Sequence, residues 1–234
     1  MAINALDLID QELAKAAAPK SSNKRPIFLF LKENHKALVR PLYDLTDALV
    51  LSKHSKWNDD PQHRVNAICA KEEGNDCKFC GMVGDDKKMA AQYHFYLPVY
   101  VYSVVDQSTG QKVTYKEKQE DGSEAERPVQ GVRVLELTSF GTIGAVLKFF
   151  REYIKEEEAP LTSCDFSISQ VGAGQKKSFV CMPKAPKLMA PQIKELIPTP
   201  ERLRERLLDA CQPVIADGVK PATPEVQDDD IPVF

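Results

Sequence analysis

Between Phe95 and Val105 the chain alternates cleanly. Phe95, Leu97, Val99, Val101 and Val105 fall on one face, and Tyr96, Tyr100, Tyr102 and Val104 on the other. A period of two over so many residues predicts a β-strand with two distinct faces. Shorter runs from Ile27 to Lys32 and from Lys36 to Leu42 predict two more strands, joined as a hairpin through Glu33, Asn34 and His35, residue types that suit a tight turn. Gly131 to Thr138 resumes a strand. Asp165 to Val171 and Lys176 to Met182 read as a closing hairpin around Gly172 and Gly174.

Helical spacing occurs in three places. Ile3, Leu6, Leu8, Ile9 and Leu13 give a short amphipathic helix over residues 3 to 17, able to dock on its own body or on a neighbouring protomer. Ser139 suits the N-cap of a helix reaching about Glu156, with Ile143, Val146, Leu147, Phe150 and Ile154 as its buried stripe. Thr199 before Pro200 opens a last helix that ends near Cys211, ahead of Pro213. Two polar stretches separate these elements. Ser52 to Gln92 is a loop so long that it needs an internal staple, and Asp106 to Pro128, with Gly110 and Gly122, reads as a mobile excursion between strands.

The pattern is mainly β with peripheral helices, and its order suits an OB-fold-like barrel with an inserted loop subdomain, since the helix of that fold falls between its third and fourth strands. Other small barrels can be built from the same order. The 234 residues divide into an amino-terminal helix and linker (1–26), a core (27–212) carrying the loop at about 52–92, and a flexible tail (213–234).

Apolar residues at 43% and charged residues at 28% are ordinary for a folded chain. The net charge of −3 is unevenly placed. From Asp217 onward five acids face one base, a local −4 that leaves residues 1 to 216 at +1. A basic groove on the body is compatible with this balance. Asp7, Asp10 and Glu12 interrupt the first apolar residues, which argues against an export signal, and no apolar run of about 18 residues is present. The expected location is therefore the cytoplasm, where six cysteines read better as metal ligands or core thiols than as disulfides.

Cys77 and Cys80 are spaced so that both thiolates can reach one metal ion, with Gly81 where the chain must turn, and Cys69 lies seven residues earlier. His54 and His63 are the upstream imidazoles available as a fourth ligand. Three sulfurs and one nitrogen would make a closed, structural zinc site with no open position for a substrate. A redox dithiol would instead be expected at the start of a helix in a βαβ unit, whereas this pair lies among Glu72, Glu73, Gly74, Asn75 and Asp76. Cys164, Cys181 and Cys211 fall in or beside apolar runs and read as core thiols.

The run from His54 through Trp57, Cys69 and Cys77-Lys78-Phe79-Cys80 resembles the zinc subdomain of the phage helix-destabilising single-stranded DNA-binding proteins. The resemblance spans roughly Phe28 to Met182 in pattern, and its specific part is the ligand order. It implies an OB fold with an inserted zinc module, makes His54 the fourth ligand with His63 in reserve, and places the protein in an infected bacterial cell. Asp228-Asp229-Asp230-Ile231-Pro232-Val233-Phe234 resembles the terminal peptide of bacterial single-stranded DNA-binding proteins, which implies docking on replication, recombination or repair enzymes. An acidic run steers toward basic partners, and Phe234 offers an apolar plug beside a terminal carboxylate. The phage family's amino-terminal arm is basic and supports self-association on DNA, whereas the helix at residues 3 to 17 is acidic.

Binding a single strand without sequence preference needs cations for phosphates and rings for bases. The candidate cations are Lys32, Lys36, Arg40, Lys53, Arg64, Arg133, Lys176 and Lys177. The candidate rings are Trp57, Tyr96, Tyr100, Tyr102 and Phe179. An enzyme is not expected, because the closed ligand set leaves no catalytic opening and no cluster of carboxylates with a histidine stands elsewhere. The competing reading is a zinc-containing adaptor that binds proteins in phage transcription or recombination.

Overall fold

The computed structural model describes residues 27–56, 64–118, 123–172 and 177–216. In chain order its strands and helices are β1 (His35–Pro41), β2 (Leu49–Lys56), β3 (Val65–Ile68), α1 (Lys78–Gly81), β4 (Gln92–Asp106), β5 (Thr114–Lys118), β6 (Glu124–Pro128), β7 (Gly131–Thr138), α2 (Gly144–Glu157), β8 (Cys164–Val171), β9 (Ser178–Pro186), α3 (Pro191–Lys194) and α4 (Pro200–Ala210). The fold is mainly β with a few helices.

The alternating segment becomes β4, and it organises the sheet because it is long enough to serve three partners. One edge pairs with β7 from His94 to Val101. The other pairs first with β2, from Gln92 to Tyr96, and then with β1, from Val99 to Asp106. β3 extends the sheet beyond β2, and β8 then β9 extend it beyond β1, all antiparallel. Leu97, Val99 and Val101 of β4 enter the main core with Ala37, Val39, Leu135, Leu137, Phe166 and Ile168, and α2 closes it with Val146, Phe150 and Tyr153. The opposite face of β4 is covered too. Tyr96 packs with Leu51, Ile68 and Val134 beneath Leu203 and Leu207 of α4.

The ladders among the described residues do not close into a barrel, so the expected OB-like closure is not formed. The outward hydrogen-bonding groups of Val134 in β7 are taken by the chain just before β1: Leu29 N donates to Val134 O, and Val134 N donates to Ile27 O. This also corrects the first hairpin. Phe28 makes a parallel bridge to Val134 rather than pairing with β1. The turn itself forms where expected, with Asn34 left-handed at φ 61° and His35 N donating to Lys32 O.

Other expectations shift. The stretch from Ser52 to Gln92 is not all loop, because it contains the end of β2 and the whole of β3. Ser139 does not cap α2. Gly141 at φ 67° turns the chain, and Ile143 takes the N-cap position without a side-chain bond. Thr199 caps α4 as expected, its hydroxyl accepting from Arg202 N. The supposed excursion at 106–128 contains β5 and β6, a two-stranded sheet of its own, tied by Lys116–Glu124 at 3.0 Å and Arg127–Glu117 at 3.1 Å. Tyr115–Arg127 falls in a unit apart from the main sheet. The amino-terminal helix and linker and residues 217–234 lie outside the described residues.

Candidate functional site

β2 carries His54 inward, and the chain leaving β3 carries Cys69. Cys69 N donates to Ser52 O at 2.8 Å, which fixes the thiol beside the imidazole. Cys77 and Cys80 flank the first turn of α1, where Gly81 N donates to Cys77 O. The sharp turn belongs to Gly74, at φ 74°, and not to Gly81. The ligand atoms of His54, Cys69, Cys77 and Cys80 all lie within 4.8 Å of one another. Cys77 Sγ is 3.2 Å and Cys80 Sγ 3.7 Å from His54 Nε2, and Cys69 Sγ is 3.5 Å from Cys80 Sγ.

A tetrahedral zinc ion, bonded at about 2.3 Å to sulfur and about 2.0 Å to nitrogen, separates its ligand atoms by roughly 3.5 to 3.8 Å. Edges of 3.2, 3.5 and 3.7 Å lie close to that spacing, so the four residues could hold such an ion. His54 Nδ1 meets Met89 O at 2.6 Å, which places the ring proton on Nδ1 and leaves the Nε2 lone pair toward the sulfurs. Burial pushes the Cys69 thiol up to about 12, with the Lys71 amide opposing and the sulfurs of Cys80 and Cys77 adding. Burial acts upward on Cys77 as well, but N–H bonds from Cys80, Ala70 and Phe79 outweigh it and hold this thiol below its ordinary value. Crowded sulfurs resist shared ionisation, and a divalent cation would remove that conflict. His63, the reserve ligand, lies outside the described residues.

The carboxyl-terminal end of the described chain grips this loop. Ile68 N donates to Cys211 O, Lys78 N to Val214 O and Ala216 N to Asp76 O, with Ile215 bridged to Cys77. Residues 213–216, expected as the start of a flexible tail, are thus bonded to the loop that carries Cys77 and Cys80.

The eleven candidate nucleic-acid contacts that fall among the described residues do not share one face. Arg40 is fully buried, paired with Asp165 and donating to the carbonyls of Thr162 and Lys187. Tyr96 is fully buried beneath α4, and Arg133 is 4% exposed, with its guanidinium on Val132 O. These three belong to the interior: α4 roofs the face of β4 that carries Tyr96, while Arg40 on β1 is buried by its own partners and Arg133 lies within β7. Tyr100 and Tyr102 touch edge to face at 5.2 Å with Lys187 over the Tyr102 ring, about 25 Å along β4 from His94 at the rise of an extended strand. Lys32 and Arg64 are exposed and Lys36 is half-buried. Trp57 and Lys176 lie outside the described residues.

Lys53, Lys177 and Phe179 do converge, on a cleft of about 370 Å³ lined also by Phe28, Phe30 and Phe140. Phe30 is 72% exposed and stands 5.9 Å from the Phe28 ring, and Lys177 lies over Phe179 at 5.2 Å. Phe28, Phe30 and Phe140 were missed because their segments read as core. For Phe28 and Phe30 the signal was the Phe-Leu-Phe-Leu alternation at 28–31, where both leucines join the main core, Phe28 packs at the edge of the second core and Phe30 stays outside. At the cleft wall Glu136 Oε1 accepts from Lys53 Nζ at 2.5 Å and His94 Nδ1 at 2.7 Å, with Tyr96 OH at 3.4 Å. Burial pushes the Glu136 carboxyl up, but His94 and Lys53 outweigh it and hold it below the usual carboxylate range.

No family model, curated protein or solved structure matches this chain.

Proposed function

We propose that this protein binds single-stranded DNA, seating unstacked bases in the phenylalanine-lined cleft and using the Cys3His cluster as a structural zinc brace. The observation that carries the reading is the exposure of Phe30 beside Phe28, Phe140 and Phe179, with Lys177 on the same cleft. Large rings left open to water cost solvation unless something flat covers them, and nucleobases do so whatever their identity. Lys177 at the rim would hold a phosphate. The metal ligands form a closed set, which suits bracing rather than catalysis.

In this reading Asp228 to Phe234 recruits replication, recombination or repair enzymes, and the protein acts in the cytoplasm of an infected bacterial cell. Among the described residues no helix is long and apolar enough to cross a membrane. A protein-binding zinc adaptor is favoured by a different observation: Val171, Val180 and Met182 on β8 and β9 are between 44% and 49% exposed. A fluorescence titration with single- and double-stranded oligonucleotides across a salt series separates the two. The DNA reading expects single-strand preference and affinity that falls steeply with salt, as counterions are released. Absence of binding at low salt would overturn it.

A further inference from the structure

We propose that the cleft reads the pairing edge of an unpaired base, with His94 Nε2 accepting an N–H from the base and Lys53 Nζ donating to the neighbouring acceptor. This deepens the single-stranded DNA reading and rests on it.

His94 is 4% exposed and lines the cleft, between the Tyr96 ring at 6.3 Å and the Phe140 ring at 5.7 Å. Its Nδ1 is committed to Glu136, whereas its Nε2 has no hydrogen-bond partner among the described residues. A buried polar atom left unpaired is destabilising, so Nε2 is suited to a ligand that supplies its missing donor. The tautomer follows from the carboxylate. Glu136 can only accept, so Nδ1 bears the proton and Nε2 presents a lone pair.

Lys53 reaches the same carboxylate oxygen from β2, under the Phe28 ring at 5.6 Å. An ammonium carries three N–H donors, of which Glu136 takes one and the Cys211 sulfur meets a second, leaving one for a ligand. The wall therefore offers an acceptor and a donor, both oriented by Glu136. Each nucleobase carries an N–H next to a carbonyl or ring nitrogen on its pairing edge: N3–H beside O4 in thymine, the N4 amine beside N3 in cytosine, and corresponding pairs in the purines. One acceptor–donor couple can thus serve all four. In a duplex that edge is already bonded to the opposite strand, so contact through it selects the unpaired state, which stacking alone does less sharply.

The test compares wild-type binding to oligothymidylate and to the same oligomer built from N3-methylthymidine, which keeps the ring face and loses the N–H. The inference expects the methylated strand to bind at least about fivefold more weakly. The variant His94→Phe keeps a ring in place and is expected to bind both oligomers equally, at the wild-type affinity for the methylated one. Equal wild-type affinities for the two strands would overturn the inference while leaving single-strand binding intact. Failure to bind unmodified oligothymidylate would overturn the underlying reading as well. Discrimination that persists in His94→Phe would remove His94 from the role. If that variant does not fold, the wild-type comparison decides alone.

Discussion

His54 turns Nδ1 to the carbonyl oxygen of Met89 at 2.6 Å, and that bond decides which ring nitrogen faces the three sulfurs. The carbonyl precedes β4 and the histidine sits in β2, so the orientation of this candidate ligand depends on the ladder joining those strands.

Native mass spectrometry and metal analysis of the purified protein are expected to show one zinc ion per chain. Cys77→Ser or Cys80→Ser should abolish it and lower Tm by roughly 10 °C or more, because metal binding and folding of such a loop are coupled. A metal-free protein with unchanged Tm would remove the brace from the account.

Arg40 was expected to face DNA and instead pairs with Asp165 inside the protein. Arg40→Met should cost about 1 to 3 kcal/mol of unfolding free energy, because Asp165 keeps Lys187 but loses its buried partner, and the carbonyls of Thr162 and Lys187 lose their donor. Replacing Arg40 and Asp165 together by apolar residues should recover part of the loss. Denaturant titrations of the single and double variants measure this.

Glu136 ionises below its ordinary 4.5 because His94 and Lys53 outweigh its burial. With the folded-state value depressed, its contribution is complete above 4.5 and disappears as pH falls through the lower folded value. Denaturation midpoints measured from about pH 7 down to about pH 3 should fall less steeply in Glu136→Gln than in the wild type, from a lower start. Parallel curves would count against the network.

Phe30 is 72% exposed, so Phe30→Ala should change stability by less than about 0.5 kcal/mol. If the ring stacks on a base, the same change should weaken single-strand binding by about 1 to 3 kcal/mol. Phe179→Ala should weaken binding similarly, with some loss of stability because its ring also packs against the main core, and Lys177→Ala should reduce the salt slope. Fluorescence anisotropy with a labelled oligonucleotide reads all three.

The cluster that could hold a metal ion was legible because a Cys-x-x-Cys pair has few uses in a polar loop, and β4 because eleven residues kept a period of two. β2 was hidden for a chemical reason. Its second half reads Ser52-Lys53-His54-Ser55-Lys56, yet Lys53 and His54 are buried, one in an ion pair and the other at the metal cluster. Polar residues whose partners lie far along the chain look like loop when the partners are not known. Arg40 and Arg133 misled in the same way, since a cation within a strand carries no local sign of which carboxylate or carbonyl it will meet. Phe30 failed in the opposite sense. An aromatic residue in an apolar run reads as core, and only the packing of its neighbours shows that it stands outside.

The shared strand has a consequence for how this chain can vary in length. From His94 to Val101, β4 is laddered to β7 while its far edge serves β2 or β1, so one inserted or deleted residue would throw several ladders out of step and swap the two core-facing rows. Relatives of different length are therefore expected to keep this stretch constant and to place their gains and losses in the self-paired β5–β6 ribbon, where a change disturbs a single ladder.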